Sequence, residues 1–187
     1  MTGLNPEVDC LVEIAVVITN SELEILDQGI DIVIKPTSEG LANMGEFVRN
    51  MHTESGLINE FENGVELAEA ESIVLEYVKR FVPEARTAPL AGNTIGTDRM
   101  FINRYMPALD SHLHYRNIDV SSVKELSRRW YPRVYFNMPK KDGGHRALAD
   151  IRESIKELQY YRKTVFVELP GPTSDAAKAA ADSLNQG

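Results

Sequence analysis

Asp98, His145 and Asp150 are the residues of this chain whose types and spacing could do chemistry. The run His145-Arg146-Ala147-Leu148-Ala149-Asp150 opens a helical pattern that continues to Arg162. It puts a proton acceptor and a hard oxygen ligand at the head of one element. Asp98 follows a Gly-Asn turn in Leu90-Ala91-Gly92-Asn93-Thr94-Ile95-Gly96-Thr97-Asp98. Two carboxylates that hold magnesium or manganese, with a histidine to deprotonate water, are what metal-assisted hydrolysis of a phosphodiester requires. An unshifted histidine titrates near neutrality, which suits the base role. Five positions correspond to about 500° of helical rotation, so His145 and Asp150 do not share a helix face. His145 is expected on the Gly143-Gly144 loop ahead of the helix. Each residue also has a plainer reading. An aspartate at a helix start is often an N-cap or a solvated charge, and an isolated histidine is often a satisfied polar group. The surrounding sequence decides between the two.

Several segments carry a resemblance to a known family. They include Leu11-Val12-Glu13-Ile14-Ala15, Met51-His52-Thr53-Glu54-Ser55-Gly56-Leu57 and Gly92-Asn93-Thr94-Ile95-Gly96-Thr97-Asp98-Arg99. They continue with the stretch His114-Tyr115-Arg116-Asn117-Ile118-Asp119-Val120-Ser121-Ser122, with Arg128-Arg129-Trp130, and with His145 to Ser154. Their order and spacing resemble the oligoribonucleases, a DEDDh branch of 3′-to-5′ exonucleases, from Met1 to about Arg162. The resemblance implies a ribonuclease H-like α/β fold, with a mixed central sheet flanked by helices. It implies 3′-to-5′ hydrolysis of short oligoribonucleotides, dinucleotides above all, to mononucleotides by a two-metal mechanism.

In that family an Asp-x-Glu motif lies directly before a Met-Thr-Gly-Leu segment, and here Met1-Thr2-Gly3-Leu4 opens the chain. The resemblance therefore implies that two of four metal-binding carboxylates, and the central strand bearing them, fall outside this sequence. The first strand of the fold is expected to be truncated. Glu7 and Asp9 sit in a loop and Glu13 in the next strand pattern, and none is expected to replace them. The alternative reading is a catalytically impaired homologue of the same fold.

By resemblance Asp98 and Asp150 are the third and fourth acids, ligands of two Mg2+ or Mn2+ ions, and His145 is the general base. Leu4 corresponds to a leucine that wedges against a base, with a core leucine as the equal alternative. His52 resembles a substrate-contacting position. Tyr115 and Arg116 resemble a segment that crosses a homodimer interface to hold the far phosphate of a dinucleotide, which gives Tyr115 a catalytic part. Thr94, Ser121 and Ser122 resemble hydroxyls of the same phosphate cap; an arginine fork with several hydroxyls makes a good phosphate clamp. Trp130 and Tyr131 are expected as core or interface anchors rather than base-stacking platforms. A DNA-directed proofreading exonuclease is a third, weaker reading, which the Tyr115-Arg116 segment disfavours.

The elements that must position these residues are legible in outline. The length of 187 residues suits one domain with a sizeable core. The exonuclease domain is expected over residues 1–165, with a disordered tail over residues 166–187 that is rich in Pro, Gly, Ser and Ala. A net charge of −8 argues against a grip on long nucleic acid. Arg128, Arg129, Arg133, Lys140, Lys141 and Arg146 make the middle locally basic, which suits a short single-stranded RNA held at a few phosphates. The single Cys10 fits a reducing compartment. No apolar run approaches a membrane span and no secretory leader is visible, so a cytoplasmic protein with no membrane partner is expected.

Leu11 to Ile18 and Ile25 to Ile34 read as strands of a hairpin ended by Pro36. Residues 37–62 read as short helical or irregular pieces. Leu67 to Val82 has one apolar face and is stopped by Pro83. Ala88 to Ala91 reads as a short strand, Asp98 to Met106 as a helix and Arg116 to Val120 as a strand. Ser121 is expected to cap a helix through Trp130. Residues 132–144 read as a loop, and Ala147 to Arg162 as the last strong helix.

Overall fold

The apolar run behind Cys10 carries Glu13 in its middle, and this shapes the whole fold. In the computed structural model, which describes residues 1–140 and 146–185, β1 (Glu13–Val16) pairs antiparallel with β2 (Ile30–Val33), Glu13 opposite Val33 and Val16 opposite Ile30. Both strands are shorter than the apolar runs that predict them. A further bridge between Thr19 and Ile25 extends the hairpin. Its tip is held by the Asn20 side-chain oxygen, which accepts from the Glu22 and Glu24 amides, and Leu23 takes a left-handed conformation.

Residues 37–63 form the short helices α1 (Ser38–Asn43) and α2 (Glu46–Glu54) and a 3-10 turn, Leu57–Asn63. They close a small core of Val12, Met44, Leu57 and Phe61 around Cys10, whose thiol is buried and unbonded. Helix α3 (Leu67–Phe81) turns Ala70, Val74, Tyr77 and Val78 inward, as its apolar spacing predicts. They pack with Ile14 and Ile34 of the hairpin, with Phe101, Ile102 and Met106, and with Leu109 and Leu113.

Strand β3 (Pro89–Gly92) pairs parallel with β4 (His114–Asp119). Between them run α4 (Ile95–Tyr105) and α5 (Pro107–His112), the second opened by a proline at its first turn, where a missing N–H is harmless. Helix α6 (Val120–Trp130) follows β4 directly. The mixed antiparallel and parallel pairing with helices around it is the expected α/β architecture. Among the described residues the pairing is divided, however, into two two-stranded sheets, β1–β2 and β3–β4.

Three expectations require revision. The cap of α6 is Asp119, whose carboxylate accepts from the Ser121 amide, rather than Ser121, which already lies inside the helix and offers one of its orphan N–H groups. The expected loop after Trp130 contains α7 (Pro132–Phe136), started by Pro132. In residues 166–185, Ser174–Leu184 forms α9, capped by Thr173 and rich in alanine, the best helix former. It buries no residue, so intrinsic propensity and a cap, rather than packing, account for it. Helix α8 (Ala147–Thr164) runs as predicted and touches β1, β2 and β3.

Candidate active site

Asp98 and Asp150 come from opposite halves of the chain and line one cavity of about 540 Å3. Asp98 lies in the first turn of α4 and Asp150 in the first turn of α8. Carboxylates are favoured there by the helix dipoles, and both helix starts face the same space. Burial raises the pKa of Asp98 above its ordinary value; its own backbone hydrogen bond and the Met1 amine pull partly the other way. The Met1 amine is itself buried, and burial lowers its pKa, with Cys10, Glu13, Asp98 and Asp9 opposing. His145 lies outside the described residues.

Two junctions set where these helices start. At the first, Glu13 accepts from the Arg146 Nε at 2.7 Å and from the Ala147 backbone N–H at 2.9 Å. One carboxylate thus pairs with the residue before α8 and supplies an anion to its exposed amides. Arg146 also donates to Glu60 at 2.7 Å. These bonds push the Arg146 pKa up, Glu60 contributing most. At the second, the Asn93 amide donates to Ser154 Oγ at 2.9 Å and to Glu157 at 3.2 Å, and its oxygen accepts from Ser121 at 3.1 Å and Lys124 at 3.3 Å. Lys124 pairs with buried Glu157 at 2.8 Å. All four hydrogen-bonding capacities of Asn93 that these contacts use tie the turn before α4 to α6 and α8. The two carboxylates are thereby fixed in one frame.

The other predicted residues fall into separate groups. Thr94, Ser121 and Ser122 do come together. Thr94 takes a left-handed conformation, its N–H donates to Asp119 at 3.0 Å and Ser121 Oγ at 2.9 Å, and Ser122 Oγ donates to Asp119 at 2.7 Å. Their donors are thus engaged by Asp119, a residue sequence reasoning did not single out. Tyr115 and Arg116 lie exposed on β4, with the guanidinium 5.3 Å from the ring centre. Leu4 is 75% exposed and is not a core leucine. His52 is buried; its Nε2 lies 2.9 Å from the Met1 carbonyl, and burial lowers its pKa, which keeps it neutral at pH 7. None of these seven residues lines the cavity of Asp98 and Asp150.

Trp130 and Tyr131 are exposed, which removes the core reading for both. The basic stretch is partly engaged: Arg129 pairs with Glu125 at 2.8 Å, and Arg146 is held as above. Asp9 stays in its loop as expected, accepting from Thr2 Oγ1 and the Asn5 amide. Glu13 is engaged at the start of α8, by Arg146 and the Ala147 amide. A charged residue inside the apolar run Leu11-Val12-Glu13-Ile14 was the available signal for that role. Asn93 and Asp119 gave no signal beyond ordinary turn chemistry.

The sequence profile of the exonuclease family matches residues 1–158. The oligoribonuclease of Leifsonia xyli subsp. xyli is 67% identical over 184 residues, covering 98% of this chain and 89% of the relative. The chain belongs to the oligoribonuclease family of exonucleases. Oligoribonucleases of Streptomyces coelicolor and Mycobacterium avium are 59% and 56% identical over 97% and 100% of this chain, and 90% and 87% of their own lengths. The split α/β sheet is accordingly a ribonuclease H-like exonuclease fold. Exonucleases of this kind use divalent metal ions.

The donor set fits such an ion in part. A magnesium-class cation is commonly held by one or two carboxylates with substrate phosphate and water completing its shell, and Asp98 and Asp150 offer that. Among the described residues no cluster of three or more His, Cys, Asp or Glu side chains is arranged to hold a metal. The described donors therefore suit one ion, and a second would need donors beyond them.

Removing the Asp119 carboxylate tests the hydroxyl cluster. Asp119→Ala is expected to lower stability by about 1–2 kcal/mol, since the α6 cap and the Thr94 restraint are lost together. Urea unfolding should show a lower midpoint with an unchanged slope.

Proposed function

We propose that this chain is a 3′-to-5′ exoribonuclease that shortens oligoribonucleotides, dinucleotides above all, to mononucleotides. The observation that carries the reading is the convergence of Asp98 and Asp150, from separate helix starts, on one cavity. It is joined by high identity to proteins named oligoribonuclease along nearly the whole chain. Mg2+ or Mn2+, two ions in the complete mechanism, would polarise the scissile phosphate and acidify the attacking water. Asp98 and Asp150 would hold the cation. His145 accepts the water's proton as the new P–O bond forms and the bond to the 3′ oxygen of the preceding nucleotide breaks. Thr94, Ser121 and Ser122 with Tyr115 and Arg116 hold the far phosphate, and Leu4 and His52 flank the substrate. Closing both ends of the substrate selects for length.

The clamp role of Tyr115 and Arg116 requires a homodimer. Tyr115, Trp130 and Phe136 are 73%, 65% and 79% exposed, the kind of aromatic surface that interfaces recruit. Sedimentation giving a monomer would remove the cross-subunit role. A cytoplasmic location is part of the same reading, and the buried free thiol of its one cysteine is compatible with a reducing compartment.

The partial donor set favours one second reading, a catalytically impaired homologue that keeps the fold. The deciding experiment compares hydrolysis of an RNA dinucleotide and a long DNA primer, each with Mg2+, Mn2+ or chelator. Metal-dependent release of mononucleotides, faster on the dinucleotide, is the expected result. No hydrolysis of the dinucleotide with either ion selects the impaired homologue, and faster attack on the primer selects a proofreading enzyme.

A further inference from the structure

Strand β4 is irregular just where Tyr115 and Arg116 stand. Pro89 of β3 pairs with His114, but the next residue, Leu90, pairs with Asn117. Tyr115 and Arg116 are therefore two extra residues without a partner on β3. A bulge of this kind bends its strand and re-aims side chains, often beside a functional site. Residues that leave the ladder need other groups to fix their backbone. Pro89 cannot supply one, because proline has no N–H to offer. Both side chains of the bulge are exposed.

One guanidinium spans the bulge. Arg99 follows Asp98 on α4, and successive helix positions point about 100° apart, so it reaches β4 while Asp98 lines the cavity. Its Nη1 donates to the His114 carbonyl at 2.9 Å, ahead of the bulge, and to Asn117 Oδ1 at 3.4 Å, behind it. Its Nε pairs with Asp110 Oδ1 of α5 at 2.6 Å, and its Nη2 reaches the Asp110 carbonyl at 3.5 Å. Asn103, one turn further along α4, donates to the other Asp110 carboxylate oxygen at 3.0 Å. Asp110 thus fixes the planar fork, and the fork fixes both ends of the bulge. Inside the bulge the Arg116 N–H donates to His114 Nδ1 at 3.1 Å. The imidazole lies against the Tyr115 ring, with centroids 4.5 Å apart.

We propose that Arg99 is a positioning residue for phosphate recognition: by bridging the two ends of the β4 bulge it presents Arg116, and Tyr115 with it, to the far phosphate of a short oligoribonucleotide. The inference rests on the clamp reading of Tyr115 and Arg116 given above. Arg99 acts through the bulge and not by touching the substrate. Its contribution is preorganisation, since a bulge already shaped need not be ordered when the phosphate arrives. A lysine would keep the charge beside Asp110, but one ammonium cannot reproduce a fork that holds Asp110, His114 and Asn117 together.

The test compares two RNA dinucleotides that differ only at the 5′ end, one carrying a 5′ phosphate and one a 5′ hydroxyl. Binding is measured in chelator, so neither hydrolysis nor the metal site enters. The parent chain is expected to prefer the phosphorylated form by about tenfold or more, the scale of one charge-assisted hydrogen bond. Arg99→Ala and Arg99→Lys should each cut that preference to about threefold or less, with affinity for the hydroxyl form unchanged within about twofold. Arg99→Lys carries the test if Arg99→Ala does not fold, and sedimentation compares the assembly of each variant with that of the parent. Full preference retained by either folded variant overturns the inference. An equal fall in affinity for both dinucleotides overturns it too, since general loss of structure would account for that. Loss of preference together with a changed assembly would make Arg99 an interface residue and equally overturn it. No preference in the parent would overturn the clamp reading itself, and this inference with it.

Discussion

Asp98→Asn is expected to lower metal-dependent hydrolysis of a dinucleotide by about 10²–10³-fold or more, the scale of losing one group that stabilises developing charge. The same substitution is expected to raise stability at neutral pH. Burial raises the folded-state pKa of Asp98 above its ordinary value. The folded chain therefore holds that proton more tightly than the unfolded chain does. The carboxyl group's contribution to stability is most favourable below its unfolded pKa and is lost as pH rises through the raised folded value. Asparagine has nearly the same shape and no charge to desolvate. In chelator-treated protein the gap in unfolding free energy between variant and parent should be widest at neutral pH and should close as the pH falls through the acidic range. A variant both inactive and less stable across that range would contradict a ligand role, because simple loss of structure would then explain the inactivity. The trade between a strained charge and a catalytic ion is the familiar cost of an active site.

Arg146→Ala has the second largest expected effect. The guanidinium joins Glu13 on β1 to Glu60 in the 3-10 turn, immediately ahead of α8. The Glu13 side chain is 6% exposed, and without Arg146 it keeps only the Ala147 amide as a partner among the bonds described above. Removing one member of a buried pair leaves a charge that water cannot reach, at a cost of about 2–4 kcal/mol for this partly open junction. For a chain of this size the melting point should fall by about 5–15 °C. Glu13→Gln in the Arg146→Ala background should recover part of that loss, since the stranded charge is then gone. No recovery would mean that Arg146 acts through packing of its aliphatic stem. Activity should fall as well, because Asp150 begins the same helix.

The sequence made the helices and the hairpin legible because their apolar spacing is regular and their ends carry proline, as at Pro36, Pro83 and Pro107. Asp98 and Asp150 were legible as candidates because few residue types bind hard cations, and they proved to share a cavity. What was not legible is the polar wiring between them. Asn93, Asp119 and Glu157 owe their importance to partners 25 to 64 positions away, and no local pattern encodes such contacts. The lengths of the two hairpin strands were also overestimated, since apolar content signals burial whereas pairing depends on a neighbour. The helix at Ser174–Leu184 was missed because compositional bias toward small residues was read as disorder, although alanine favours helix and Thr173 caps it.

Helix α8 is, in mechanical terms, a girder with its working point at one end. Asp150 stands in its first turn, while Gln159 grips the Leu23 carbonyl at the hairpin tip and Tyr160 grips the Val134 carbonyl of α7. Nine residues of helix make a lever of about 14 Å, so a tilt of about four degrees about the far grip carries the carboxylate through about one ångström. Displacements of that size cost catalysis on the order of a hundredfold. Surface segments with no chemistry of their own, the hairpin tip and α7, therefore set the tolerance to which the proposed site is built.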